Sequence, residues 1–133
     1  MSPSVNASGP HAQAFAVAFG AVVGALLRWR TGLWLNARWA GFPLGTLAVN
    51  CAGALLIGMA LMAFERMHNE WWRLLLVTGF LGGLTTFSSF SAESLVLLQR
   101  GAGWMALAHT AAHVVGSLAC AAIGYRVMQS LLG

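Results

Sequence analysis

The chain has 133 residues, of which 59% are hydrophobic and 8% charged, and its mean hydropathy is +0.75. A soluble domain carries about 25% charged residues, so a water-soluble fold is excluded and an all-α integral membrane protein is expected. The formal net charge of +4 comes from seven arginines against three glutamates, with no lysine or aspartate; the arginines stand singly near the ends of apolar blocks, as interfacial anchors do, and nucleic-acid binding is not expected.

Residues 1–13 are polar and read as a disordered tail. They lack the basic start and small-residue cleavage site of a signal peptide, so the first helix is expected to be retained, and the glycosylation pattern at Asn6-Ala7-Ser8 is a chance match. Four apolar blocks follow, at residues 15–35, 44–64, 72–98 and 104–132. Each is near or above the ~20 residues needed to cross hydrocarbon. Residues 14–133 therefore form one domain of four transmembrane helices. Arg66, Arg73 and Arg126 lie near one membrane face and Arg30, Arg38 and Arg100 near the other. So even a tally specifies no orientation, and insertion in both directions, with an inverted copy as partner, stays open beside a single topology.

In the first span Gly20 and Gly24 are four residues apart, as in close helix packing, and Arg28 lies deeper than the other arginines. The second span aligns Thr46, Asn50 and Ala54 on one stripe; Asn50 there suits an interhelical hydrogen bond or a pore lining equally. The third span contains the most informative segment, Gly79-Phe80-Leu81-Gly82-Gly83-Leu84-Thr85-Thr86-Phe87-Ser88-Ser89-Phe90-Ser91. Three glycines and five hydroxyls interrupt a helix that lipid would otherwise demand be continuous, and ion sites are often built at such breaks. Phe87 and Phe90 share a face, which on spacing alone reads as packing or lipid contact. Thr86, Ser89 and Glu93 form another row, and Glu93 is the one carboxylate well inside a span, a position that marks function or a buried pair; Arg28 is a candidate partner.

The fourth span aligns His109, His113 and Ser117 at four-residue steps, and Ala112, Gly116, Cys120 and Gly124 at the same spacing. Histidines one turn apart can bound a polar cavity or, with further ligands, hold a transition metal. Cys51 and Cys120 read as small packing residues. The composition contains no Gly-rich nucleotide loop and no nucleophile, base and orienter set, so an enzyme is not expected.

The run from Gly79 to Glu93 closely resembles the third-helix signature of the CrcB or Fluc fluoride channels. Gly24-Ala25-Leu26-Leu27-Arg28-Trp29 and Pro43-Leu44-Gly45-Thr46-Leu47-Ala48-Val49-Asn50-Cys51-Ala52-Gly53 agree with the same family, and the resemblance covers nearly all the chain after the tail. It implies an antiparallel, dual-topology homodimer in the bacterial inner membrane. Two fluoride pathways and a central structural sodium ion are implied with it, the ion being held by backbone carbonyls that match Gly82 and Thr85. The family's pore phenylalanines fall on Phe87 and Phe90 and its second-helix asparagine on Asn50. Ser88, Ser89 and Ser117 are candidates for a hydroxyl row, with Arg28 in an electropositive vestibule. His109 and His113 stand where relatives present tyrosine, serine or threonine, a departure that suggests pH-dependent conduction. Three other classes remain open on the residues: a proton-coupled exporter of the small multidrug-resistance type, although its first-span carboxylate is replaced here by Arg28, a transition-metal carrier using His109 and His113, and a purely structural membrane subunit.

Overall fold

A computed structural model describes residues 9–38 and 41–133, and within them four helices are long and apolar enough to cross a membrane: Pro10–Asn36, Leu44–Arg66, Glu70–Gln99 and Gly103–Leu132. The first begins at Pro10, whose fixed φ and missing N–H suit a helix's opening turn. Residues 10–13, expected in the tail, are therefore helical; the rest of that tail up to residue 8, with the Asn6 pattern, lies outside the described residues. The first helix ends at Asn36, whose Oδ1 accepts the Gly45 N–H at 2.8 Å and ties the start of the second helix to the end of the first. Near the same end the Arg38 guanidinium lies 4.3 Å over the Trp34 ring, an interfacial pairing of cation and aromatic.

The first helix packs mainly against the third and the second mainly against the fourth. Glycines permit both contacts. A Cβ on Gly20 would collide with the Leu75 carbonyl oxygen, one on Gly24 with that of Phe80, and one on Gly83 with that of Ala21. Across the other pair, a Cβ on Gly58 would strike the Ala121 carbonyl and one on Gly124 that of Leu55. Backbone-to-backbone approach of this kind is how helices gain van der Waals contact in lipid.

The third span is broken as expected, and in a particular way. Glu70–Arg73 is α-helical, Leu74–Leu81 is a π-helix, Gly82–Leu84 returns to α, and a second arm, Phe87–Gln99, follows an extended link. The apolar core beneath the break is small: Val49, Leu81 and Leu84, with Ile57 and Phe80 packed against it. The largest fully buried side chain is His109, at 0% exposure. Large apolar residues such as Phe19, Leu61, Leu95 and Leu118 face outward on all four helices, which suits lipid or a partner rather than water. Cys51 and Cys120 are free thiols.

Candidate functional site

The break consists of Thr85 (φ −85°, ψ 155°) and Thr86 (φ −154°, ψ 123°), two consecutive extended residues inside a membrane-spanning helix. Its exposed peptide groups are met by one side chain from the second helix. Thr86 N–H donates to Asn50 Oδ1 at 2.8 Å, and Asn50 Nδ2 donates back to the Thr86 carbonyl at 3.0 Å. Thr86 then caps the second arm, its Oγ1 accepting the Ser89 N–H at 3.1 Å. Because these two N–H groups point elsewhere, the carbonyls of Gly82 and Thr85 lose the donors four residues on that an unbroken helix would give them. Both residues face an open groove of about 530 Å³ that Asn50, Phe87, Phe90, His113 and Ser117 also line.

A second cavity, of about 380 Å³, lies on the other side of the link and is lined by Arg28, Thr46, Ser89 and Glu93. Thr86 borders both spaces. In the groove the rings of Phe87 and Phe90 stand 5.3 Å apart at 50°. Phe87 is 80% exposed, whereas Phe90 is half-buried and tilts against His113 with ring centroids at 4.7 Å. Ring edges carry the positive part of the aromatic quadrupole and can face an anion.

Glu93 is partnered differently from the expectation. It shares the second cavity with Arg28 but forms no ion pair with it; among the described residues its contacts are the Thr46 hydroxyl, which donates to Oε1, and His109, whose Nε2 lies 3.3 Å from Oε2. Arg28 Nε is buried without a hydrogen-bond partner, leaving its charge to act on the cavity rather than on a fixed counter-ion. His109 is held from its other nitrogen by Ser94 Oγ, 3.0 Å from Nδ1, and is boxed by Phe42 and Phe90. His113 Nδ1 lies 3.2 Å from Asn50 Nδ2. Ligand atoms of Glu93, His109 and His113 all lie within 4.8 Å of one another.

The residues singled out from sequence thus divide. Asn50, Phe87, Phe90, His113, Ser117, Gly82 and Thr85 converge on the groove, and Arg28, Ser89 and Glu93 on the second cavity. His109 lines neither, being sealed behind Phe90. Ser88 also lines neither and instead lies 3.1 Å from Thr86 Oγ1 in a small hydroxyl cluster. Thr86, the residue common to both spaces, was not among the candidates, although a threonine three residues before Ser89, directly after Gly-Gly-Leu-Thr, is a legible helix start. Thr46 was legible on the Asn50 stripe by its spacing, but its pairing with Glu93, like that of Ser94 with His109, had no local signal.

Residues 15–125 match the family described as CrcB-like protein, Camphor Resistance (CrcB). The chain is 57% identical over 119 residues to the Fluoride-specific ion channel FluC of Bordetella petrii, covering 87% of this chain and 91% of that protein. It is 52% identical over 121 residues to the protein of that name from Aromatoleum aromaticum, with 89% and 92% covered. For the Chromohalobacter salexigens protein of that name, identity is 50% over 118 residues, with 87% and 89% covered. With the family model matched over residues 15–125 and four helices long and apolar enough to cross a membrane, the chain belongs to the CrcB family, as a multi-pass protein of the bacterial inner membrane.

Proposed function

We propose that this chain is a passive fluoride-selective channel that lets the anion leave the cytoplasm. The observation that carries the reading is the Thr85–Thr86 break, held open by Asn50 between a cavity bearing Arg28 and a groove bearing Phe87, Phe90, His113 and Ser117. Fluoride is small and strongly hydrated, so passage requires close donors in place of its water. Arg28, without an ion-pair partner among the described residues, raises the anion concentration at one mouth. The edges of Phe87 and Phe90 admit an anion while excluding bulk water, and Ser89 and Ser117 supply hydroxyls along the way. Hydrogen fluoride enters cells uncharged and dissociates inside. A negative membrane potential then drives the anion out through an open path without ATP or a catalytic step.

The functional unit in this reading is an antiparallel homodimer with two pathways. Phe87 is too exposed in one copy to form a pore wall alone, and the near-even arginine tally fits insertion in both directions. A structural sodium ion at the two-fold axis fits the donor set: the carbonyls of Gly82 and Thr85 are freed by the break, and neutral oxygens suit a hard cation. That ion would supply fixed positive charge and hold the two breaks together, while the chain's own role is to keep those carbonyls out of the helical ladder.

The test is fluoride release from liposomes containing the purified protein, followed with a fluoride electrode under a clamped potential and no proton gradient. Rapid fluoride release with chloride retained is the expected result. Release that requires an opposing proton gradient would replace the channel with a proton-coupled exporter.

A further inference from the structure

Three buried atoms with no hydrogen-bond partner among the described residues come together beside Phe90: Glu93 Oε2, His109 Nε2 and His113 Nε2. One ligand atom from each of these residues lies within 4.8 Å of those of the other two. Both histidines are more than nine-tenths buried, His109 at 0% exposure and His113 at 5%. A buried polar atom without a partner forfeits the water it gave up on folding. A hydrogen bond between His109 and Glu93, whose Nε2 and Oε2 stand 3.3 Å apart, would satisfy two of the atoms and leave His113 Nε2 unmet. A cation that accepts three lone pairs satisfies all of them.

The donor set is that of a particular class of cation. His109 and His113 stand one turn apart on the fourth span, and Glu93 comes from the second arm of the third. Two imidazoles and a carboxylate suit zinc and its first-row neighbours. At zinc bond lengths of about 2 Å, tetrahedral ligands stand about 3.3 Å from one another, the separation His109 Nε2 and Glu93 Oε2 already have. The 4.8 Å bound leaves the third ligand at most about 1.5 Å to close.

The surrounding contacts orient two of the ligands. The Thr46 hydroxyl donates to Glu93 Oε1 and leaves Oε2 free. Ser94 Oγ lies 3.0 Å from His109 Nδ1, where it accepts that nitrogen's proton when Nε2 presents its lone pair to an ion. The third ligand gives something up. An imidazole that binds metal through Nε2 has its proton on Nδ1, so at His113 the metal bond replaces the 3.2 Å contact with Asn50 Nδ2, while the two hydrogen bonds between Asn50 and Thr86 stay in place. His113 borders the open groove, which gives an ion its way in.

We propose that Glu93 Oε2, His109 Nε2 and His113 Nε2 form a binding site for one divalent transition-metal ion of the zinc class, which joins the second arm of the third span to the fourth helix. The site is separate from the carbonyls of Gly82 and Thr85 and does not depend on the fluoride reading.

The test uses full-length, untagged protein in detergent, titrated with cobalt(II) as a visible stand-in for zinc. One cobalt per chain is expected, with the absorption bands of a tetrahedral site that added zinc abolishes. Zinc is expected to raise the unfolding temperature of the native protein. Glu93→Gln, which keeps the shape of the side chain, should lower zinc affinity by at least about tenfold and abolish that rise. Replacing the exposed His11 and His68 by alanine should change neither. Absence of the cobalt bands, native affinity in Glu93→Gln, or loss of binding with His11 and His68 each overturns the inference. If Glu93→Gln does not fold, X-ray absorption of the zinc-loaded native protein decides: two imidazoles and a carboxylate support the site, and a sulfur ligand or a single imidazole overturns it. Protein that binds zinc in this way but releases no fluoride overturns the channel reading and leaves the metal site standing.

Discussion

Asn50 and Thr86, 36 positions apart in sequence, are joined by a paired hydrogen bond in which one side-chain amide satisfies both peptide groups of the same residue. This pairing makes a break tolerable in the middle of a membrane. Without it, the Thr86 N–H and carbonyl would be left with no helical partner inside a membrane span.

Asn50→Ala removes that support, and each buried group left without a partner costs about 1–3 kcal/mol. The variant is expected to lose about 2 kcal/mol or more of stability, read as an earlier thermal unfolding in detergent followed by circular dichroism. Ser91→Ala is the comparison: the Ser91 hydroxyl bonds the Phe87 carbonyl on an exposed surface of its own helix, and its loss should leave the transition in place.

The glycines divide in the same measurable way. A Cβ on Gly124 would strike the Leu55 carbonyl, so Gly124→Ala must push the second and fourth helices apart, at about 1–3 kcal/mol. At Gly32 the nearest atom to an added Cβ is Asn36 Nδ2 at 3.9 Å, and Gly32→Ala should raise stability by up to about 1 kcal/mol through helix propensity. Equal unfolding temperatures for the two variants would refute this account of the helix contact.

Phe87→Ile and Phe90→Ile test whether the rings act on the anion or only fill space. Phe87 is 80% exposed in the single chain, so its replacement should leave folding intact. Fluoride release from liposomes is nevertheless expected to fall by about tenfold or more, the equivalent of about 1.4 kcal/mol. Unchanged release from both variants would remove the aromatic edges from the pathway.

The near-balance of arginines predicts two orientations in one membrane. Reporters fused to the C-terminus, one active only in the cytoplasm and one only outside it, should both give signal in cells. Signal from a single reporter would exclude an inverted partner and leave the exposed Phe87 to be covered in some other way.

Four spans and a broken third helix were both legible in the chain, because block length and the Gly-Gly-Leu-Thr-Thr run are local properties and lipid penalises an unpaired backbone wherever it occurs. Gly20, Gly24 and Gly124 were recognisable as packing positions by their spacing, but their opposing surfaces at Leu75, Phe80 and Leu55 were not. The same limit applied to the polar site. Arg28 was the plausible counter-ion for Glu93 by charge and depth, yet Thr46 donates to that carboxylate and His109 Nε2 is the nitrogen beside it, at 3.3 Å. Thr46 lies 47 residues away in sequence, and the Asn50 to His113 contact joins positions 63 apart. A hydrogen bond reaches only about 3 Å, so which donor meets which acceptor depends on how the helices are rotated and seated against one another. Glycine contacts and the π-helical turn set that seating across the fold, and no periodicity within one helix encodes it.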